Sequence, residues 1–204
     1  NALAMAELEA RHGMRATYYF RILPVAFDTQ IIRQIAGLGH EIGYHYEDFH
    51  LARYDKDKAI ELFRTHVERL REIVPVHTIA MHGSPLARQN NMAIWDHFDY
   101  REHGVEDCIL SADYSDFVFF TDTGRSFGTG AVNLRDYIGG RSDPDVSTSA
   151  DVARCLAERR HSKVQINVHP ERWNDPGLPW MRQFAWDFAA NSAKRVIRAV
   201  RRHA

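Results

Sequence analysis

The sequence predicts an α/β fold in which mainly parallel strands form a sheet or barrel with helices outside it. Segments with helical spacing alternate with short β-rich runs along most of the chain, the pattern of β-α-β units. Apolar residues make up 45% and charged residues 26% of the sequence, an ordinary globular composition that argues against disorder. A chain of 204 residues buries roughly 70–75% of its unfolded surface, so one domain over 1–204, without disulfides, is expected.

The elements follow in order. Residues 1–12 read as a helix stopped by Gly13. Ala16 to Phe20 is a β-rich run. Asp28 is placed to N-cap a helix carrying Ile31, Ile32, Ile35 and Leu38, which Gly39 ends. Glu41 to Tyr44 is a strand leading into His45. Lys56 to Val74 is the clearest helix, with Ala59, Leu62, Phe63, Val67, Leu70 and Val74 on one stripe. His77 to Met81 is a strand followed by His82-Gly83-Ser84-Pro85, and Met92 to Phe98 makes one or two helical turns. Residues 105–135 look like a small β-rich insert: Phe117 to Phe120 is a strand, and Val132 to Leu134 is a possible antiparallel return. Ser147 to His161 is helical, with Ser147 or Ser149 as its cap. Val164 to Val168 is a strand, and Pro179 to Arg202 is the last helix, with Met181, Phe184, Phe188, Ser192 and Val196 on one side.

Composition excludes several functions. The net charge of −1 provides no basic field for nucleic acid or anionic lipid. The basic residues Lys194, Arg195, Arg198, Arg201 and Arg202 suit a helix C-terminus. No apolar run reaches the ~18 residues of a membrane span. The sequence does not determine a location; the absence of a visible signal peptide favours the cytoplasm. Cys108 and Cys155 fit neither a metal spacing nor a disulfide framework, and read as buried or idle thiols. The sequence does not determine an oligomeric state.

In parallel α/β folds ligands sit at the carboxyl ends of strands. Three histidines fall there: His45, His82 and His169. Imidazole is the commonest metal ligand and titrates near neutrality. The segment from His40 to His50 offers His45, His50 and Asp48 as ligands for a divalent metal such as zinc, which keeps one position open for water. His40 lies at the other end of its strand and reads as structural, and Glu47 reads as solvated. His82 is placed to ligate metal or hold substrate, with Ser84 and Tyr46 as further substrate contacts. Ser84 lacks the strand-to-helix elbow of a serine nucleophile, because Pro85 follows it. His169 is the candidate general acid or base, with Trp173 as a stacking wall beside it and Glu171 and Arg172 able to pair. Asp122 and Arg125 also follow a strand; Arg125 is suited to orient an acidic group.

Gly39-His40-Glu41-Ile42-Gly43-Tyr44-His45 resembles the signature of the polysaccharide deacetylases, the NodB-homology superfamily or carbohydrate esterase family four. Arg15 to Phe20 is similar to that family's Ala-Thr-Phe-Phe strand, and Val168-His169-Pro170 to its late Leu-His motif. The likeness spans roughly residues 1–175. It implies a distorted or incomplete barrel of parallel strands and helices. It also implies removal of an N- or O-acetyl group from a sugar or polysaccharide by a metal-activated water. By that resemblance His45 is the first metal histidine, zinc the usual metal and His169 the acid that protonates the leaving group. A bell-shaped pH profile is then expected. The family's metal-binding and base aspartates have no counterpart before Asp28, so a first strand is expected upstream of residue 1. The second metal histidine of the family falls on Phe49, one residue before His50, and Gly83 takes the place of its Arg in an Arg-x-Pro motif. These departures match a divergent subgroup, or a deacetylase-like domain that binds carbohydrate without turnover.

Overall fold

The computed structural model describes residues 1–83, 87–123, 125–127, 140–175 and 177–202, except for the side chains of 190, 191 and 193–202. The fold is mixed α/β, and every strand pair in its described sheets is parallel. The chain forms two compact units, Ala2–Ala112 and Asp113–Ala204, the second including Asn1.

The first unit carries α1 (Ala2–Arg11), β1 (Thr17–Phe20), α2 (Thr29–Gly37), β2 (Glu41–Tyr46), α3 (Asp48–Leu51), α4 (Lys56–Arg71), β3 (Thr78–Met81) and β4 (Glu106–Asp107). Its sheet runs β1-β2-β3-β4. Asp28 caps α2 as expected, accepting from the amides of Gln30 and Ile31. Asp55 caps α4, whose Ala59, Phe63, Val67 and Leu70 are buried. That helix stops at Arg71, ahead of Pro75; the Glu72 amide donates to the Glu68 carbonyl, and the Ile73 and Val74 amides share the Leu70 carbonyl in a tightened last turn.

Strand β2 is central, and Gly43 fits it there. A Cβ on Gly43 would stand 2.4 Å from the Tyr19 ring and 2.9 Å from the Thr78 carbonyl. Only glycine allows β1 and β3 to close on it from both sides. His40 is structural, as predicted. Its Nδ1 accepts from the Ala16 amide and its Nε2 donates to the Ala6 carbonyl, so it ties α1 to the start of the sheet.

The second unit carries β5 (Val118–Thr121), α5 (Ser149–Ala157), β6 (Val164–Asn167) and α6 (Leu178–Arg202). Strand β5 does not belong to a separate insert. It pairs in parallel with β6, from Val118 opposite Val164 to Thr121 opposite Asn167. The expected return at Val132 to Leu134 lies outside the described residues. Thr148, rather than Ser147 or Ser149, caps α5, because Thr148 and Asp151 exchange the reciprocal bonds of a capping box. Val118, Phe120, Val146, Val152 and Cys155 form this unit's core. Met181, Phe184 and Phe188 of α6 are exposed. Among the described residues no helix is long and apolar enough to cross a membrane.

Candidate functional site

In the first unit the carboxyl ends of three neighbouring strands carry Arg21, His45, Glu47 and His82. His45 stands on β2 itself, since pairing with β3 continues through Tyr46. Its Nδ1 lies 3.0 Å from the Ala80 carbonyl oxygen. A carbonyl only accepts, so Nδ1 carries the hydrogen and Nε2 the lone pair, the tautomer suited to a ligand or base. The His82 ring meets His45 edge-on, with centroids 5.1 Å apart.

Glu47 is not solvated. It is buried and takes a two-pronged contact from Arg21, Nε to Oε1 at 2.8 Å and Nη2 to Oε2 at 2.7 Å. His82 Nδ1 lies 3.2 Å from Oε2, at ion-pair distance but off the hydrogen-bonding angle. Burial opposes ionisation of Glu47, yet His82 and Arg21 outweigh it and lower the carboxyl to about 2. Sequence reasoning missed this cluster. Arg21 follows β1 and Glu47 follows β2, so applying the strand-end rule to opposite charges on adjacent strands finds the pair.

His45, Asp48 and His50 do not assemble as a metal-ligand set. Asp48 is fully buried, and Tyr44 Oη and His66 Nδ1 donate to its carboxylate, the latter at 2.6 Å. Residue 48 opens the helical turn α3, which turns its side chain to the core. His50 Nδ1 sits 3.1 Å from Tyr54 Oη, and its amide donates to Asn91. Tyr46 is a core residue rather than a substrate contact. It is 1% exposed, donates to Asp107 Oδ2 at 2.7 Å and accepts from Trp95 Nε1. Ser84 lies outside the described residues.

In the second unit Asp122 follows β5 and His169 follows β6, so parallel pairing brings them together. His169 approaches Asp122 twice: its amide donates to Oδ2 at 2.9 Å, and its Nδ1 lies 2.6 Å from Oδ1. Arg172 Nη1 donates to Oδ1 at 3.1 Å, and Trp173 Nε1 to Oδ2 at 3.0 Å. Burial raises the carboxyl of Asp122, but the His169 contacts and the Arg172 charge prevail and hold it below the ordinary range. A carboxylate in this position fixes the imidazole tautomer, with Nδ1–H inward and Nε2 outward, and stabilises the imidazolium. Arg172 pairs with Asp122 rather than Glu171, and its Nε lies 3.6 Å from Asp187. Arg125 binds an acidic group of its own chain, Asp187, at 3.0 Å, and lies over the Trp180 and Phe184 rings. Trp173 remains half-exposed.

One group in the described residues offers three metal-ligand atoms within 4.8 Å of one another: Asp143, Cys155 and His161. The two polar members stand 18 residues apart on either side of α5, a spacing that matches no short motif. The chain matches no family model, no curated protein and no solved structure.

Proposed function

We propose that this protein is a hydrolase of the polysaccharide-deacetylase type, removing an acyl group from an amide or ester on a sugar or polysaccharide, with His169 as general acid. The observation that carries the reading is the Asp122–His169 pair, 2.6 Å apart at the ends of two parallel strands. Asp122 orients the imidazole and balances its positive charge, and Nε2 hands a proton to the departing amine or alkoxide. Trp173, pinned by its indole nitrogen and half-exposed, supplies a flat apolar face for a sugar ring. The motif around Gly43 and His45 supports the same family. A distorted or incomplete barrel and zinc as the metal belong to this proposal. His45 has the tautomer of a zinc ligand, whereas Asp48 and His50 are taken up by Tyr44, His66 and Tyr54.

The test is acetate release from N- and O-acetylated oligosaccharides by the full-length protein. His169→Ala is expected to reduce kcat/KM by about 10²–10⁴. A variant that keeps full activity removes His169 from the mechanism, and a wild type that releases no acetate ends the hydrolase reading. The engagement of Asp48 and His50 within the fold favours a second reading, a deacetylase-like domain that binds carbohydrate without turnover. Calorimetric binding of an acetylated oligosaccharide without acetate release would select it.

A further inference from the structure

We propose that Asp143, Cys155 and His161 form a zinc site with three protein ligands and a fourth position for water. This inference is independent of the hydrolase reading. The three residues supply a carboxylate oxygen, a sulfur and an imidazole nitrogen, all of which zinc accepts. The thiolate favours zinc over magnesium or calcium, which take oxygen. The ligand atoms lie within 4.8 Å of one another. A tetrahedral ion with bonds of about 2.0–2.3 Å holds its ligands roughly 3.5 Å apart, so modest side-chain rotation closes the set.

The local chain is shaped to bring these atoms together. Cys155 lies on the buried face of α5, 1% exposed, and its thiol makes no hydrogen bond among the described residues. After α5 the chain reverses through Arg159, whose φ is +51°. The Arg159 amide bonds the Leu156 carbonyl and the Arg160 amide bonds the Cys155 carbonyl, the two bonds of a Schellman turn. That reversal brings His161 back beside the helix, with Nε2 2.9 Å from Asp143 Oδ2. Asp143 is itself oriented, because the Asp145 amide donates to its Oδ1 at 3.0 Å. Arg160 competes for the same carboxylate at 3.5 Å, but its Nε is held by Glu158 at 3.2 Å, so it has a partner when the metal takes Asp143. On binding, Cys155 releases its thiol proton to solvent. The hydrogen that His161 shares with Asp143 moves to Nδ1, leaving Nε2 for the ion.

The experiment uses the full-length protein, freed of metal and titrated with zinc against a chromogenic chelator, then with cobalt(II). One tight equivalent is expected to give a sulfur-to-cobalt charge-transfer band. Cys155→Ser should abolish the band, and either it or His161→Gln should weaken zinc binding by more than about 100-fold, since losing a ligand exceeds the cost of losing its outer-shell support. His45→Ala should leave the band and this affinity unchanged, which separates this site from any metal of the hydrolase reading. The proposal is overturned by a wild type without the band, or by a band that survives Cys155→Ser and disappears in Cys108→Ser. If Cys155→Ser does not fold, as judged by circular dichroism, His161→Gln decides: unchanged zinc affinity overturns the site.

Discussion

Glu47 and Asp122 are both buried carboxylates that follow a strand and face an imidazole, yet their oxygens are filled from different places. Glu47, in the first unit, takes the two-pronged Arg21 guanidinium and meets His82 only at an off-angle 3.2 Å. Asp122, in the second, takes donors from His169, Arg172 and Trp173, all within one short segment. His169 is held to one carboxylate at its backbone and at its ring, so the amide contact keeps Asp122 at the base of the side chain while Nδ1 fixes the ring. The His82 amide instead donates to the Tyr46 carbonyl, so its backbone and ring answer to different partners. A carboxylate beside an imidazole at the ends of parallel strands therefore serves two ends. One joins strand ends as an ion pair, and the other fixes the direction of an imidazole ring.

That contrast can be broken by experiment. The largest effect is expected at Asp122. Asp122→Asn should reduce acetate release by about 10²–10⁴, and adding His169→Ala should cost little more, because residues acting as a unit are not additive. A comparable loss in Glu47→Gln, with Asp122→Asn near wild type in kcat/KM, would reverse the assignment.

Glu47 should instead appear in stability. Its carboxyl lies at about 2 against an ordinary 4.5. A lowered value means that the folded state favours the ionised form, so the stabilisation is present above about pH 4.5 and is lost as pH falls toward 2. Glu47→Gln should cost on the order of 2–3 kcal/mol at pH 7 in urea unfolding. The gap from wild type should narrow between pH 5 and pH 2. A gap that stays constant with pH would show that packing, not charge, holds Glu47.

Smaller effects test the frames around the two pairs. Gly43→Ala should destabilise by about 2 kcal/mol through overpacking against Tyr19 and the Thr78 carbonyl, without altering the zinc affinity proposed for the second unit. Arg159→Gly relieves a left-handed φ of +51° and should raise stability by about 0.5–1 kcal/mol. A thermal melt reads both.

Much of the fold was legible because its signals are local. Asp28 before an apolar helical stripe, Gly39 after it and the alternation of helix and strand depend only on neighbours in sequence. The strand-end rule located His82, Asp122 and His169 for the same reason, whereas His45, expected just past a strand ending at Tyr44, lies inside β2, which runs on through Tyr46. What escaped depended on partners distant in sequence. The burial of Glu47 requires Arg21 from another strand. The loss of Asp48 and Tyr46 to the core requires His66, Trp95 and Asp107. Pairing of β5 with β6 spans a long connection that no turn residue announces, and Cys155 acquires Asp143 and His161 only after the chain turns back at Arg159.

The amide of His169 donates to the same carboxylate that holds its ring. That backbone hydrogen is therefore a built-in reporter of the pair. In heavy water it should exchange slowly while Asp122 is ionised and in place, and quickly once Asp122 is replaced or protonated. Its exchange rate reads the readiness of the proton donor without any substrate, so the state of the proposed acid can be followed before its sugar is known.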